Sequence, residues 1–115
     1  MTPEADTLAG SGIATWQGDP VEGAVVEINT PQDVLTLMDT DLDDAIILMH
    51  TAGATMLAPL FSDLKGIICT TGGVGSHVAI LSREFGVPLI LAAEIKGSIT
   101  DKRVRLESSG DVRLV

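Results

Sequence analysis

The interpretation of this 115-residue chain depends most on one stretch, Gly66-Ile-Ile-Cys-Thr-Thr-Gly-Gly-Val-Gly-Ser-His-Val-Ala-Ile-Leu-Ser-Arg-Glu-Phe-Gly-Val-Pro88. An apolar run of strand length, residues 66–70, leads into a glycine turn, residues 72–75. A helical pattern follows from about His77 to Phe85. Gly86 is placed to end this helix, because glycine tolerates the left-handed backbone of a helix C-terminus. The stretch therefore predicts a strand, a tight turn and a helix that begins with a histidine.

The start of this predicted helix suits phosphoryl chemistry. The first turn of a helix has backbone N–H groups without intrahelical partners, and the helix dipole adds partial positive charge there. Gly72, Gly73 and Gly75 let the backbone approach an anion closely, and the Ser76 hydroxyl can cap the helix or donate to a phosphate oxygen. The same positive end keeps the ring of His77 neutral and nucleophilic. A tight turn before an ordinary helix would explain the same residues, so the pattern alone leaves both interpretations open.

The remaining segments predict an α/β domain. Residues 1–10 are small and polar and are expected to form a loose N-terminal segment, so the domain is assigned to residues 11–115. Thr30 and Asp33 carry the signals of a helix start, and a short helix is predicted for Met56–Phe61. Because apolar strands alternate with helices, the fold class predicted is α/β. The strands are predicted at residues 13–16, 24–28, 45–50, 66–70, 88–93, 103–107 and 111–115, the last two as a hairpin.

Several single residues are assigned to the core. Val78, Leu81 and Phe85 share one face of the predicted helix, as in a helix with one apolar side. Cys69 lies in the apolar strand before the turn and is expected to be a core residue. His50 ends another apolar strand and is interpreted as a hydrogen-bonded structural histidine or as a residue near the same sheet edge.

Composition excludes several partners. The formal net charge is −9, which argues against a nucleic acid or an anionic membrane surface. No run of about 18 apolar residues is present, as a membrane-spanning helix would require. The single cysteine excludes an internal disulfide and fits a reducing compartment. The N-terminus does not resemble a signal peptide, so we predict a cytoplasmic protein, and Met1 with the closing hairpin favours a natural full-length chain.

Residues 72–88 closely resemble the mobile phosphohistidine domain of phosphoenolpyruvate-utilising enzymes. This family includes phosphoenolpyruvate synthase, pyruvate phosphate dikinase, the first enzyme of the sugar phosphotransferase system and antibiotic-phosphorylating relatives. Its pattern is Gly-Gly, two variable residues, Ser/Cys-His, a small apolar stretch and then Ala/Ser-Arg-Glu-Leu-Gly-Ile-Pro. The chain departs from the pattern at Gly75, where relatives usually have Thr, and at Thr71, where an acidic residue often precedes the glycine pair.

The resemblance implies a single compact domain of the swivelling β/β/α type. It implies that His77 accepts a phosphoryl group at one active site and carries it to another. Gly72, Gly73 and Ser76 would surround the anion, and Arg83 would orient or pair nearby.

The same resemblance implies partners. Nucleotide-binding and phosphoenolpyruvate-binding domains flank this domain in large relatives, and they do not fit within 115 residues. They are therefore expected to act in trans, and Mg²⁺ with ATP or phosphoenolpyruvate is expected in their sites. No cofactor and no metal ion are expected on this domain itself.

Competing functions are weaker. Gly73-Val-Gly75, the following helix and Glu94 imitate a dinucleotide-binding fingerprint, but Val78 stands at its third glycine position. A Walker-type loop is excluded, because no Gly-Lys-Ser/Thr follows the glycines. The acidic run Asp39–Asp44 imitates the start of a calcium-binding loop without its glycine, and a solvated turn explains it better. A catalytically silent module of the same fold, favoured by Gly75 and Thr71, remains an alternative.

Overall fold

A computed structural model of the chain describes residues 7–30, 32–33, 35, 44–50, 64–71 and 77–115. Seven strands and one helix have defined bounds within these residues. They are β1 Thr7–Ala14, β2 Val21–Ile28, β3 Ala45–Met49, β4 Gly66–Cys69, α1 His77–Phe85, β5 Leu89–Ile95, β6 Arg103–Leu106 and β7 Asp111–Leu114.

The seven strands form a closed barrel in the order β1-β5-β4-β3-β2-β6-β7. Strands β2, β3, β4 and β5 run parallel to one another. The other neighbours are antiparallel, and β1 closes the barrel by pairing with both β5 and β7. Closure leaves no unpaired edge strand within this sheet.

The predicted fold class, an α/β domain of the swivelling β/β/α type, is wrong for the described residues. They form a seven-stranded closed barrel with one short helix against it. The sequence pattern predicted flanking strands at both ends of the chain, but not that they meet. Closure depends on pairs such as Gly10 with Ile95 and Gly10 with Val112, which are far apart in sequence and leave no local periodicity.

Most single elements agree with the sequence. Helix α1 has the predicted bounds, and β3 to β7 lie within two residues of the predicted strands. Strand β1 begins at Thr7, four positions before the predicted domain start at residue 11, so the strand predicted at residues 13–16 was placed too late. The helix predicted for Met56–Phe61 lies outside the described residues.

The helix start predicted at Thr30 is confirmed. Asp33 N–H donates to Thr30 Oγ1 at 3.4 Å, while Thr30 N–H donates to Asp33 Oδ2 at 3.1 Å. This reciprocal pair is a capping box, and it satisfies two N–H groups at the start of a helix. Gln32, Asp33 and Leu35 are helical.

The buried apolar residues form two layers. The first layer draws on all seven strands and fills the barrel interior, with Ile46, Ile68 and Ile90 fully buried. The second layer lies outside the barrel, between β2–β5 and α1, and includes Ile47 and Ile67. Successive side chains of a strand point to opposite faces, so β3 contributes alternately to both layers. All five residues of β3 are buried.

Helix α1 packs with part of the predicted face, since Val78 is in the core and Leu81 is partly buried against it. Val78 and Ala79 are fully buried, and Ser82 is buried as well. The Ser82 hydroxyl donates to the Ala79 carbonyl at 3.0 Å, which satisfies it inside the apolar layer. Phe85, the third residue of the predicted face, is 49% exposed.

Two glycines have separate structural roles: Gly86 ends α1, and Gly12 allows the barrel to close. Gly86 has φ +69°, and the Val87 N–H donates to the Ser82 carbonyl at 2.8 Å, as in a Schellman ending. At Gly12 the backbone of β1 lies so close to β5 that a β-carbon would overlap the Leu91 carbonyl oxygen. Gly12 N–H also donates to the Gly110 carbonyl at 2.8 Å. Closure therefore requires the absence of a side chain at Gly12.

We predict that Gly12→Ala lowers the free energy of unfolding by about 1–3 kcal/mol, because the new methyl group must push β1 away from β5. Urea unfolding followed by circular dichroism measures this loss. Ser11→Ala, at the exposed neighbouring residue, is the matched control and is expected to stay within about 0.5 kcal/mol of wild type. Equal effects of the two variants would contradict a steric limit at Gly12.

We predict a smaller loss for Gly86→Ala, about 1 kcal/mol, from backbone strain alone. A β-carbon at this position meets no atom within 4 Å, so a steric contact adds nothing. Gly86→Asn is the control, since asparagine tolerates the left-handed conformation better than alanine. The same urea titration should rank glycine, asparagine and alanine in that order of stability.

Candidate functional site

Three parallel strands end side by side at one rim of the barrel. Ile28 of β2 pairs with Met49 of β3, and Met49 pairs with Cys69 of β4. His50 and Thr70 therefore follow directly after neighbouring strands. The carboxyl ends of parallel strands are the usual place of ligand sites in open parallel sheets, and here the chain runs from β4 through residues 70–76 to α1.

A chain of side-chain hydrogen bonds crosses this rim. His50 Nε2 lies 2.9 Å from Glu27 Oε2, and His50 Nδ1 lies 3.0 Å from Thr70 Oγ1. The other carboxylate oxygen of Glu27 accepts from the Thr100 hydroxyl at 2.8 Å. Hydrogen bonds thus connect four side chains: Glu27 of β2, His50 and Thr70 directly after β3 and β4, and Thr100 in the segment after β5.

These hydrogen bonds stabilise the charged form of Glu27. The hydrogen bond with His50 is the main cause that holds the pKa of Glu27 below its ordinary value, and the bond from Thr100 lowers the pKa further. Partial burial acts in the opposite direction and is outweighed. Glu27 is consequently a carboxylate at neutral pH, and it acts only as a hydrogen-bond acceptor.

The hydrogen-bonded chain faces a cavity of about 340 Å³. This volume is within the range of small-molecule sites, and the cavity combines apolar walls with a few polar groups. Gly97, with φ +74°, turns the chain at its edge. The lining consists of Glu27, Leu48, His50, Thr70, Ile95, Gly97, Ser98, Ile99 and Thr100.

The residue before the predicted glycine turn is anchored from two sides. The Thr71 hydroxyl donates to the His50 carbonyl at 3.1 Å. The Ala92 N–H donates to the Thr71 carbonyl at 3.4 Å, and Ala92 has the unusual φ of +49°. A non-glycine residue in this region is held there by its surroundings. Thr71 is therefore attached both to the residue after β3 and to β5.

The sequence-predicted site residues are only partly described. His77 is the first residue of α1, as predicted. Gly72, Gly73, Gly75 and Ser76 lie outside the described residues, and their roles stay predictions.

Arg83 is exposed in the last turn of α1. Its six-residue spacing from His77 separates the two Cα positions by about 120° around the helix axis and about 9 Å along it. A role for Arg83 beside His77 therefore depends on the length of its side chain, and it also stays a prediction.

Sequence reasoning found part of the rim. His50 is hydrogen-bonded at a sheet edge, as predicted, and Cys69 is a fully buried free thiol, as predicted. Glu27, Thr70 and Thr100 were missed. Thr70 had a signal, because it follows an apolar strand just as His50 does. Glu27 and Thr100 had none, since their contacts depend on how the barrel closes.

Two further classes of site find no support in the part of the chain that the structure describes. No three His, Cys, Asp or Glu side chains come together there as metal ligands. Likewise, no helix within those residues has the length and apolar character needed to cross a membrane.

We predict that Glu27 makes folding stability depend on pH. Its lowered pKa means that the carboxylate stabilises the folded state at neutral pH, and that this contribution disappears as the pH falls through the lowered value. Urea midpoints of wild type should exceed those of Glu27→Gln at about pH 7, and the difference should shrink below about pH 4. Glu94→Gln, at an exposed glutamate, is the control. A difference that is constant with pH would contradict this assignment.

Comparison with known proteins identifies relatives that match this chain over a small part of their own length. Rifampicin phosphotransferase of Bacillus subtilis is 30% identical over 93 residues, which are 81% of this chain and 11% of that protein. The enzyme of the same name from Bacillus cereus is 34% identical over 77 residues, which are 67% of this chain and 9% of that protein. A phosphoenolpyruvate-dependent phosphotransferase system protein of Escherichia coli is 36% identical over 59 residues, which are 50% of this chain and 8% of that protein. The chain thus spans about a tenth of the length of these relatives.

A solved structure resembles the fold. Aconitase X of Thermococcus kodakaraensis, in its holo form, superposes with a TM-score of 0.65 at 18% identity, covering 92% of this chain and 97% of that one. At this identity the likeness concerns the fold alone. The sequence family is assigned by residues 30–107, which match the model of the PEP-utilising enzyme mobile domain. The chain therefore belongs to the mobile-domain family of phosphoenolpyruvate-utilising enzymes.

Proposed function

We propose that this domain is a phosphocarrier that accepts a phosphoryl group on His77 and passes it between two active sites of a phosphotransferase. The observation that carries the proposal is the position of this histidine. It is the first residue of a helix, directly after a glycine-rich segment, in a chain of the phosphoenolpyruvate-utilising family. A helix start supplies N–H donors and partial positive charge for an anion.

The proposed chemistry is two successive phosphoryl transfers. A neutral ring nitrogen of His77 attacks the phosphorus atom of the donor, a nitrogen–phosphorus bond forms, and the bond to the donor's leaving oxygen breaks. In the second step an acceptor oxygen attacks the phosphorus, and the histidine leaves. Phosphoryl transfer depends mainly on positioning and on charge stabilisation, so a small domain can contribute one complete part of it. The amides of the glycine segment and the Ser76 hydroxyl are the proposed donors to the carried group.

The partners of the carrier belong to the same proposal. Because the chain spans about a tenth of its curated relatives, the donor and acceptor sites are assigned to other domains, in the same protein or in trans. These sites would bind Mg²⁺ with ATP or phosphoenolpyruvate. The relatives named rifampicin phosphotransferase support a small-molecule acceptor as one option. The free buried thiol of Cys69 is in keeping with a cytoplasmic location.

A second candidate function is a catalytically silent interaction module. Two departures from the family pattern favour it: Gly75 stands where relatives usually have a threonine, and Thr71 stands where an acidic residue is common. Both would weaken the surroundings of the phosphoryl group and leave the barrel unchanged. The two candidates differ in whether His77 takes up phosphate.

We predict a single phosphate adduct on the wild-type protein after incubation with Mg²⁺, ATP or phosphoenolpyruvate, and a lysate of the source organism. Intact-mass spectrometry at alkaline pH detects it, because phosphohistidine survives there. The adduct should be lost on brief acid treatment and should be absent from His77→Ala. His50→Ala, which removes the chain's only other histidine, is the matched control and should still be phosphorylated. An adduct of normal yield on His77→Ala would refute the assignment, and no adduct on any protein would favour the silent module.

A further inference from the structure

The cavity at the rim belongs to the barrel interior, whereas helix α1 packs on the other apolar layer. Leu48 and Ile99 of the cavity lining are part of the layer inside the barrel, and Ile95 packs against that layer. Val78 and Ala79 of α1 belong to the layer outside the barrel. The cavity is therefore a feature that the proposed phosphoryl transfer on His77 does not explain.

The charge of the cavity lining comes from one carboxylate. Glu27 is ionised at neutral pH, because His50 and Thr100 both donate to it, and its side chain is 30% exposed. Among the described residues of the lining, none is Lys or Arg. A bound anion would lie beside the Glu27 carboxylate with no positive side chain of the lining to compensate it. The charge of the lining therefore favours a cation.

The hydrogen bonds at the rim leave the neighbouring hydroxyls as acceptors. Glu27 can only accept, so His50 Nε2 donates to it, and a neutral ring then has a lone pair on Nδ1. Thr70 Oγ1 lies 3.0 Å from Nδ1 and must donate its proton to the ring. The Thr100 hydroxyl gives its proton to Glu27 in the same way. Both hydroxyls thus keep lone pairs for a ligand that donates hydrogen bonds.

A primary ammonium group has the donors that these acceptors require. It carries three N–H groups and one positive charge. An ionised carboxylate accepts about four hydrogen bonds. Glu27 receives those of His50 and Thr100, with a further contribution from the Asn29 side chain. The carboxylate therefore keeps room for one more donor, and the lone pairs of Thr70 and Thr100 line the same cavity.

The remainder of the lining suits an apolar body. Leu48, Ile95 and Ile99 are aliphatic. The cavity volume of about 340 Å³ is at the lower end of the range of small-molecule sites and is larger than an ammonium group alone would fill. A small and purely polar ion would leave these aliphatic side chains in contact with water. The ligand that fits is consequently amphipathic, with a polar end and a compact apolar end.

We propose that this cavity binds a small organic cation, in which a primary ammonium group is attached to a compact aliphatic body. The ammonium group donates to the Glu27 carboxylate and to the hydroxyls of Thr70 and Thr100, and the body packs against the aliphatic side chains of the lining. No covalent step is involved. The site does not depend on the proposed phosphocarrier function, and His77 has no part in it.

The first test is a titration of the ¹⁵N-labelled protein with cyclohexylmethylamine, followed in ¹H–¹⁵N correlation spectra. At about pH 8 the amine is charged and an imidazole is neutral. About 0.15 M NaCl screens non-specific attraction to the net charge of −9. Saturable shifts are expected at Ser98, Ile99 and Thr100, with a Kd of about 1 mM. Shifts that do not saturate, or that spread over the acidic surface, would overturn the site.

Three analogues test which property of the ligand is recognised. Cyclohexylmethanol keeps the shape without the charge, cyclohexanecarboxylate reverses the charge, and the N,N,N-trimethyl derivative of the amine keeps the charge without N–H donors. Each should bind at least about tenfold more weakly than the amine, the effect of a lost hydrogen bond to a charged group. Equal affinity of the alcohol and the amine would overturn a cation site. Equal affinity of the trimethyl derivative would overturn recognition of a primary ammonium group.

Variants locate the site on the protein. Glu27→Gln keeps the shape of the side chain without its charge and should raise the Kd of the amine at least about tenfold. Glu94→Gln removes one negative charge at an exposed residue outside the lining, so it is the matched control and should leave the Kd unchanged. Equal effects of the two variants would show that only the net charge attracts the amine, and would overturn the site.

A second pair of variants covers the case in which Glu27→Gln does not fold. Thr70→Val removes one acceptor and should raise the Kd about threefold, while Thr15→Val, whose hydroxyl donates to the Leu89 carbonyl outside the lining, should not change it. An unchanged Kd in Thr70→Val would contradict the proposed contact. His77→Ala should bind the amine as wild type does, even if no phosphate is ever taken up by the protein. Lost binding in His77→Ala would overturn a site separate from the phosphocarrier.

Discussion

The close approach of β1 to β5 is the constraint on which this structure depends. In a closed barrel every strand pairs with two neighbours. Here β1 completes the closure by pairing with β5 on one side and with β7 on the other. The backbone of Gly12 lies against the Leu91 carbonyl of β5 and donates to the Gly110 carbonyl at the turn before β7. A side chain at Gly12 would separate these strands. The barrel interior, built from aliphatic residues of all seven strands, is enclosed only when this contact is made.

Closure also determines which groups meet at the rim. Because β2, β3, β4 and β5 are parallel neighbours, their carboxyl ends lie at one end of the barrel. Glu27, His50 and Thr70 come from three of these strands or their ends, and Thr100 comes from the segment that follows the fourth. At the other end, Asp44 before β3 pairs with Arg103 at the start of β6. The polar chain is therefore a consequence of the parallel arrangement, although its members are scattered along the sequence.

The sequence predicted what local patterns control and missed what depends on distant pairing. Strand β3 could be predicted because five consecutive apolar residues serve two core layers, and α1 because Gly86 ends it. Helical spacing placed Phe85 on one face with Val78 and Leu81, yet Phe85 is 49% exposed, whereas Ser82 is buried with its hydroxyl bonded to the Ala79 carbonyl.

The same distinction holds for the site. The helix start at His77 could be predicted from the glycines before it, since helix starts have a strong local signal, and the role of His77 stays a prediction. Glu27 lies in an ordinary strand, and its contact with His50 exists only because β2 and β3 are paired. The fold class failed for the same reason, as no residue near Gly10 indicates that Ile95 will lie opposite.

The net charge of the chain and the groups that contact an anion have different effects on phosphoryl binding. A formal charge of −9 repels free anionic donors, but at physiological ionic strength this repulsion is screened beyond about 8 Å. Whether an anion is held at the start of α1 is therefore decided by groups that touch it, namely N–H donors and hydroxyls. Under the proposed function, the same net charge acts in docking at close range, where an acidic surface complements the cationic surroundings that sites for ATP or phosphoenolpyruvate require. For the proposed carrier, the two effects do not conflict: the acidic surface would favour docking at sites of opposite charge, and the local donors would hold the group that is transferred.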